Sequence, residues 1–347
     1  MRRRLVGALV AISGCCLLVA ACGSSGGGTT GSSNTSTESK TVRLVQGGGL
    51  DFSDAAIYEA MTLLKQRGYD VTLDNVADPT TALRAVLSGK DDVYLGAPVE
   101  AATAVANSGA QLKYLASIAQ TSDYELISLP KVTMSSLSGT RLATAGPGTA
   151  GQIVAVAALT KLGIDVSKID QVTVGGTSAR VTALLAGQVD VAPVLAPEAA
   201  AAVATGKVKI LLNAGQVLGD YLQQGLIASS SFAAETGTAQ ATVTAFIDAE
   251  RWAASNESAY ISVASSNSLL GNLTASTAKT AYTQLKNGNM FAINGAICTQ
   301  AINQTLNYSY TDGSALTKSN TPSYSSWVDP SYVGSYLKQH GDSAGAC

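Results

Sequence analysis

The chain has 347 residues, a formal net charge of −2 at pH 7 and only 13% charged residues. So few charges, nearly balanced in sign, provide no basic surface for nucleic acid, and that class of partner is excluded. The single histidine, His340, and five cysteines are too few for a Cys/His metal site, so neither a metal nor a cofactor is expected. The length is sufficient for two lobes.

The N-terminal residues have the pattern of an export signal. Three arginines, Arg2–Arg4, precede the apolar run Leu5–Leu18, which is too short for an ordinary membrane span. The sequence Val19–Cys22 (VAAC) then resembles a bacterial lipobox. We predict a signal peptide over residues 1–21 and lipidation of Cys22. The alternative is a plain secretory signal with an incidental cysteine.

A tether follows the predicted lipidation site. Residues 22–40 are nearly all Gly, Ser and Thr, and such a segment behaves as a flexible coil. We therefore predict a domain held at the outer face of the bacterial cell membrane by its lipid anchor only. Two cysteines leave with the signal and a third carries lipid. The remaining pair, Cys298 and Cys347, is predicted to form a disulfide in that oxidising compartment.

Strands and helices alternate along the rest of the chain. Thr41–Gln46 alternates as a strand, and Asp54–Arg67 has apolar residues at helical spacing. Val71–Leu73 then has the pattern of a strand and Thr80–Leu87 that of a helix. This alternation predicts an α/β fold with parallel sheets covered by helices on both faces.

One α–β–α–β pattern occurs twice, over Thr81–Leu115 and Arg180–Leu212. In each copy a helical segment ends at a glycine, and an aspartate follows three residues later, Asp92 or Asp190. A short apolar strand, a proline, an alanine-rich helix, a second glycine and another strand complete the unit. Glycine suits the end of a helix and proline its first turn. The repeat predicts two similar lobes with a cleft between them.

Two extended runs mark where the chain passes between the lobes. Tyr124–Leu129 leads into the second lobe, and Leu226–Ser229 returns the chain to the first. The segment after the return is helical. We predict a discontinuous lobe 1 of residues 41–129 and 230–347, and a continuous lobe 2 of residues 130–229.

Ligands of such folds bind beyond the carboxyl ends of the parallel strands. Six loops meet this condition: Gly47–Ser53, Gly96–Pro98, Gln120–Asp123, Ala145–Gly151, Gly175–Ser178 and Ala196–Glu198. The most distinctive sequence is Thr144–Gly151 (TAGPGTAG), because its glycines let the backbone approach a ligand and the helix that follows favours a negative group. A tight turn that binds nothing is the equal alternative.

Four further residues lie in or near these loops. Asp51 precedes a helix and is either a cap or a ligand contact, whereas Phe52 lies in a loop and could stack on a ligand. Ser178 is either the N-cap of a helix or a contact. Arg180, the one strong cation near these loops, is predicted to be solvated or in a salt bridge.

Signatures of catalysis are missing from the sequence. A serine hydrolase needs a base beside its nucleophile, and His340 lies in the C-terminal tail. The sequence contains neither a G-x-S-x-G elbow nor a dinucleotide fingerprint. The protein is therefore predicted not to be an enzyme, and an exported hydrolase is the least favoured reading.

Four strings carry a resemblance to a known family. TALRAVLSGKDDVYLGAP, LSGTRLATAGPGTAGQIVAVAALTKLGID and RVTALLAGQVDVAPVLAPEAAAAVATGK resemble the aliphatic sulfonate, taurine and nitrate branch of ABC importer substrate-binding proteins. That branch includes binders of the thiamine pyrimidine precursor. DAERWAASNESAYISVAS is similar to the family's helix after the second lobe. The resemblance covers roughly Val42 to Leu337.

The resemblance implies a type II periplasmic binding protein fold, whose two lobes close on a ligand by a hinge through the two crossing strands. It also implies which residues bind the ligand. The matching positions are Gly49, Asp51, Phe52, Ala97, Pro98, Gln120, Gly146, Gly148, Thr149, Thr177 and Ser178. The pyrimidine-forming enzymes of this fold rely on histidine and a cysteine-rich segment, which this chain lacks.

The predicted function is therefore the lipid-anchored solute-binding component of an ABC importer. Its partners would be a small organic solute, anionic or zwitterionic, and an ABC permease, and the protein itself would be a monomer. A ligand-sensing or adhesive lipoprotein with the same fold and no transport partner is the alternative.

Overall fold

A computed structural model describes residues 39–76, 78–310 and 315–343. The predicted signal peptide, the lipidation site Cys22 and all but the last two residues of the tether lie outside these ranges. So does Cys347, and its disulfide with Cys298 stays a prediction. In the described ranges, no helix is both long and apolar enough to cross a membrane.

Strands and helices alternate through the first two thirds of the described chain, and helices dominate the last third. The strands are β1 Thr41–Gly47, β2 Asp70–Val76, β3 Val93–Gly96, β4 Leu112–Ala119, β5 Tyr124–Ser128, β6 Arg141–Thr144, β7 Asp170–Thr173, β8 Val191–Leu195, β9 Lys209–Asn213 and β10 Gln224–Ser229. The helices are α1 Ala55–Gln66, α2 Pro79–Leu87, α3 Pro98–Ser108, α4 Ala150–Lys161, α5 Thr177–Leu185, α6 Ala196–Ala204, α7 Ala214–Leu218, α8 Ser230–Ala234, α9 Thr236–Ser255, α10 Glu257–Ser266, α11 Ala275–Asn287, α12 Thr299–Ser309, α13 Tyr324–Trp327 and α14 Ser331–His340. Short 3₁₀ turns occupy Phe52–Asp54, Met134–Ser136, Val166–Lys168 and Ser268–Leu270.

The strands form two five-stranded sheets with the same topology. The first has the order β2-β1-β3-β10-β4 and the second β7-β6-β8-β5-β9. In the first sheet β1 is parallel to β2 and β3, while β10 is antiparallel to both of its neighbours. In the second sheet β6 is parallel to β7 and β8, while β5 is antiparallel to both of its neighbours. The predicted α/β class with two similar sheets is confirmed.

The predicted lobe limits put β5 in lobe 1 and β10 in lobe 2. In the structure each of these two crossing strands pairs within the other sheet. In β5, Leu126 pairs with Pro193 and Leu212 of the second sheet. In β10, Ile227 pairs with Tyr94 and Tyr114 of the first. Strand pairing therefore puts the crossings at residues 120–123 and 219–223, earlier than the predicted limits at 129 and 229. An apolar run indicates burial but not the strand with which it pairs, so the sequence could not decide this.

The repeat has an equivalent ion pair in each sheet. Asp92 pairs with Arg43 of β1, with 2.6 Å between Nη2 and Oδ1, and accepts a hydrogen bond from the Arg43 amide. Asp190 pairs with Arg141 of β6, with 2.9 Å between Nε and Oδ2, and accepts from the Arg141 amide. Both aspartates precede a strand and join its amino end to the neighbouring strand. The aspartates shared by the two copies are therefore structural and lie at the edge of each sheet opposite the candidate loops.

Candidate functional site

The carboxyl ends of the parallel strands in the two sheets lie close to each other. Tyr124, the first residue of β5, pairs with Leu195, the last residue of β8. Gly225, near the start of β10, pairs with Gly96, the last residue of β3. Each crossing turn is only a few residues long, at no more than about 3.5 Å per residue, so it joins the two edges directly. The loops selected from the sequence therefore surround the crossing turns.

Arg180 is buried on the second-sheet side of this region, with only 3% of its surface exposed. Its guanidinium donates hydrogen bonds to the Pro193 carbonyl at 2.8 Å, the Gly175 carbonyl at 2.6 Å and the Thr177 hydroxyl at 3.0 Å. Burial lowers its pKa, while nearby Tyr124 acts in the opposite direction. The prediction that Arg180 is solvated or salt-bridged is wrong. From the first turn of α5 its side chain extends back past the helix N-terminus, where it meets the carbonyl of Gly175 before the helix and that of Pro193 on β8.

The N-terminus of α4 lies directly beside Arg180. A Cβ atom added to Gly151 would be 3.3 Å from Cε1 of Tyr124 and 3.5 Å from Nη2 of Arg180. Burial raises the pKa of the Tyr124 hydroxyl to about 12, and the positive charge of Arg180 opposes that rise. Glycine at position 151 thus allows the first turn of α4 to contact a phenol and a guanidinium at once.

The GPGTAG loop that leads into α4 uses its own polar groups. The Gly148 amide donates to the Gln152 side chain at 3.3 Å, and the Thr149 hydroxyl donates to the Gly146 carbonyl at 2.7 Å. Gly146 and Gly148 have positive φ angles of 117° and 77°, so glycine is required at both. The loop is adjacent to Gly151, but these internal bonds occupy part of the donor set that an anion would use.

Thr177 and Ser178, the two predicted ligand contacts at the start of α5, differ in their position relative to Arg180. Thr177 accepts the hydrogen bond from Arg180, whereas Ser178 is exposed. The N-cap residue of α5 is Gly176, so the interpretation of Ser178 as the cap is wrong.

On the first-sheet side, Asp51 and Asp54 act together as a capping box. Oδ1 of Asp51 accepts from the Ser53 amide at 2.7 Å, and Oδ2 of Asp54 accepts from the Asp51 amide at 2.9 Å. Phe52 is 2% exposed, and its ring centroid lies 5.4 Å from that of Tyr260. Packing favours a core role for Phe52, and its stacking on a ligand stays a prediction. Gly49 is exposed and has a φ of 100°.

The remaining predicted contacts, Ala97, Pro98 and Gln120, are buried at the carboxyl edge of the first sheet. The Ala97 amide donates to Oε2 of Glu100 at 3.1 Å, and the Gln120 amide donates to the Met290 carbonyl at 3.0 Å. Their backbone amides are therefore used within the protein, and their contact with a ligand stays a prediction.

Four carboxyl groups form the largest feature that the sequence analysis missed. We call Asp51, Asp54, Asp123 and Glu198 the acid cluster. Burial raises the pKa of Asp123 to about 7, and repulsion from Asp51 adds to this rise. Burial raises the pKa of Glu198 to about 8, with repulsion from Asp51 and Asp123 in addition. Burial also raises the pKa of both Asp51 and Asp54. The cluster joins residues from both sheets, because Glu198 begins α6 whereas Asp51 follows β1.

Two oxygen atoms of the acid cluster have no hydrogen-bond partner among the described residues, Oδ2 of Asp123 and Oε2 of Glu198. Asp123 is 6% exposed, and its Oδ1 accepts from the Gln223 amide group. In the described ranges, no three His, Cys, Asp or Glu side chains are grouped so as to hold one metal ion. The loops Gln120–Asp123 and Ala196–Glu198 were selected from the sequence, but nothing local indicates that their acids meet.

The acid cluster predicts an inverse dependence of stability on pH. Between about pH 4 and pH 7–8 the native carboxyls of Asp123 and Glu198 hold protons that the unfolded chain has released, so raising the pH favours unfolding. The charged or titratable groups that face these two carboxyls are Asp51, Asp54, Tyr124, Arg180 and Tyr260. We expect the melting temperature of the unliganded protein to fall by several degrees from pH 5.5 to pH 8.5, as measured by calorimetry.

The Asp123→Asn variant should reduce that slope and melt higher than the wild type at pH 8.5. Asp170→Asn, which makes the same charge change at an exposed site on β7, is the control and should keep the wild-type slope. An unchanged slope in Asp123→Asn would contradict the assignment of the raised pKa.

The fold and the site define an α/β protein with two sheets whose facing edges enclose polar groups, the architecture of periplasmic binding proteins. The model of the NMT1/THI5-like family matches residues 55–257. The chain belongs to this family, and the resemblance inferred from its sequence is confirmed. No curated protein sequence matches the chain.

Solved structures share the fold at low sequence identity. The ligand-binding component of an ABC-type import system from Staphylococcus aureus, solved with zinc bound, is 13% identical, with a TM-score of 0.70 over 85% of this chain and 98% of that one. The periplasmic sulfonate-binding protein SsuA from Methylobacillus flagellatus KT is 18% identical, with a TM-score of 0.66 over 87% and 95%. The desulfurization enzyme DSZB is 14% identical, with a TM-score of 0.62 over 86% and 99%. The fold therefore serves binding proteins and at least one enzyme.

Proposed function

We propose that this protein is the solute-binding component of an ABC importer, exported and anchored through lipid at Cys22, and that it holds one small organic solute between its two sheets. The observation that carries the proposal is the enclosed polar site at the crossing turns. There, Arg180 and the N-terminus of α4 lie on one side and the acid cluster lies around them. Family membership supports the same reading.

The solute would enter by separation of the two sheets about their crossing turns. An open groove of about 580 Å³ is lined by Glu125, Asn213 and α11 and includes none of the acid cluster. Asp123 and Arg180 are both more than nine-tenths buried. A solute that reaches them therefore needs an opening movement, and closure would then bury it and produce the form that docks on a permease.

A catalytic role has less support. The single histidine stacks on Tyr336 of α14, with 4.3 Å between the ring centroids, and thus lies on the C-terminal helix rather than at the crossing turns. Among the described residues, the hydrogen-bond partners of Arg180 are Gly175, Thr177 and Pro193, none of which is a base. We therefore prefer a solute-binding function to a hydrolase, and also to an enzyme of the kind that DSZB represents.

A thermal-shift screen of the mature domain tests the proposal, with amino acids, sulfonates, nitrate, amines, aromatic acids and pyrimidines as probes. A solute at a hundred times its Kd stabilises the bound form by about 2.7 kcal/mol, which is measurable as a higher melting temperature. Deleting the gene should abolish uptake of the same solute. A Cys22→Ser variant separates anchoring from binding, because it should bind the solute normally in solution. Failure of every probe, or unchanged uptake after deletion, would contradict the importer function.

A further inference from the structure

We propose that the solute carries a cationic head group, a protonated amine or amidine, which binds between Asp123 and Glu198. This inference rests on the proposed function and specifies the chemical class of its solute. The sequence analysis expected an anionic or zwitterionic solute. A zwitterion remains compatible with this proposal, because its positive group could bind the two carboxyls, but a pure anion does not.

Asp123 provides one buried acceptor without a donor. Gln223 holds Asp123 by two hydrogen bonds: its amide nitrogen donates to Oδ1 of the carboxyl, and its oxygen accepts from the Asp123 backbone amide at 3.1 Å. Oδ2 remains without a partner in the described part of the chain, although Asp123 is only 6% exposed. A buried acceptor that lacks a donor costs about 1–3 kcal/mol, and more when it is charged. A ligand donor at Oδ2 removes this cost.

Glu198 provides the second acceptor, and it lies beside Asp123 because the Ala196 amide at the start of α6 donates to the Asp123 carbonyl at 3.0 Å. It lies in the first turn of α6, and its Oε2 is buried without a hydrogen-bond partner within the described residues. The charge of Asp51 helps to raise the pKa of both carboxyls. A neutral donor could satisfy one oxygen, whereas a positive charge also stabilises the ionised form of both carboxyls. An ammonium or amidinium group has several N–H donors and can serve more than one acceptor.

The hydrogen-bond donors at the site that could bind an anion already have acceptors within the protein. Arg180 donates to two carbonyl oxygens and a hydroxyl, and the Gly148 amide and the Thr149 hydroxyl bond within their own loop. A fully anionic solute would have one counter-charge, Arg180, whose donors are already used, whereas a cation would meet the four acids of the cluster. The balance of charge therefore favours a cation over a sulfonate or nitrate.

The test uses pairs of probes that share a skeleton and differ in one head group. Taurine is compared with ethanesulfonate, putrescine with 1,4-butanediol, and benzylamine with benzyl alcohol, by calorimetric titration at pH 8. We expect at least one amine to bind at least tenfold more tightly than its partner. Asp123→Asn and Glu198→Gln should each weaken that amine at least tenfold, whereas Asp170→Asn should leave its affinity unchanged. Melting curves establish that each variant is folded.

A second readout separates direct contact from a structural effect. Because the cation keeps the acid cluster ionised, its binding should release protons, and the measured heat should depend on the ionisation enthalpy of the buffer. This dependence should be smaller in Asp123→Asn. Tight binding of ethanesulfonate or nitrate that survives Asp123→Asn overturns the cationic class and leaves the importer function standing. Binding of calcium or zinc chloride in place of any amine also overturns it. Failure of every solute class overturns both proposals.

Discussion

Replacing Arg180 by methionine is expected to lower the free energy of unfolding by about 3 kcal/mol or more. The guanidinium is buried and donates hydrogen bonds to three acceptors, the carbonyls of Gly175 and Pro193 and the hydroxyl of Thr177. Methionine has no donor for any of them. Each buried acceptor left without its donor costs about 1–3 kcal/mol, and methionine fills the space without donating. The same substitution removes the cation beside Tyr124 and Gly151, so solute binding should be lost as well.

Urea denaturation measures the first effect, and titration of the solute found by screening measures the second. Arg180→Lys retains charge but not the planar fork of donors, so it should restore only part of the stability. Arg67→Met is the matched control, because Arg67 makes a surface ion pair with Asp248 that is worth no more than about 1 kcal/mol. An Arg180→Met protein within 1 kcal/mol of the wild type would show that these three bonds do not stabilise the second sheet.

Replacing Gly225 by alanine is expected to cost about 3 kcal/mol of unfolding free energy. A Cβ atom at this position would lie 2.2 Å from the Tyr114 hydroxyl oxygen and 2.4 Å from the Ala116 carbonyl oxygen. Strand β10 is hydrogen-bonded on both edges, to β3 and to β4, so it cannot move away from either contact. Its register with β4 shifts on both sides of Gly225, and glycine in a strand commonly marks such a close approach of two backbones.

Calorimetry or urea denaturation of Gly225→Ala tests this directly. Adding Tyr114→Phe to Gly225→Ala should recover only part of the loss, because it removes the nearest oxygen but leaves the Ala116 carbonyl at 2.4 Å and the ring carbon Cζ at 2.5 Å. Gly334→Ala is the control, since its Cβ meets nothing within 4 Å and it lies inside α14. Alanine there should be neutral or stabilising by up to about 1 kcal/mol. If Gly225→Ala behaves like Gly334→Ala, β10 is not held as tightly as its pairing indicates.

The repeat explains why the fold could be predicted. Its glycines, prolines and apolar runs are local signals for helix ends, helix starts and buried strands, and they occur in the same order twice. The structure builds α2-β3-α3-β4 from one copy and α5-β8-α6-β9 from the other. Two equivalent arginine–aspartate pairs confirm that the copies fold alike. The loops at the carboxyl edges followed from the same pattern.

The chemistry of the site could be predicted only in part. Thr177 and the turn ending at Gly151 were selected from their sequences, and the structure brings both to Arg180. The prediction for Arg180 was wrong, because the burial of a side chain in the first turn of a helix depends on the strands against which that helix packs, here β8. Asp123 and Glu198 stood in selected loops without any local pattern to distinguish them.

The sequence by itself determined the class of fold, the doubled unit and the loops that surround the cleft, because turn chemistry and apolar periodicity act over a few residues. Only the tertiary structure decided that β5 pairs in the second sheet and β10 in the first. The strands with which a strand pairs are distant in the sequence, so no local pattern indicates them. The meeting of Asp51, Asp123 and Glu198 was decided in the same way. Their mutual repulsion depends on distances through space, and these were set when the two short crossings brought the edges of the sheets together.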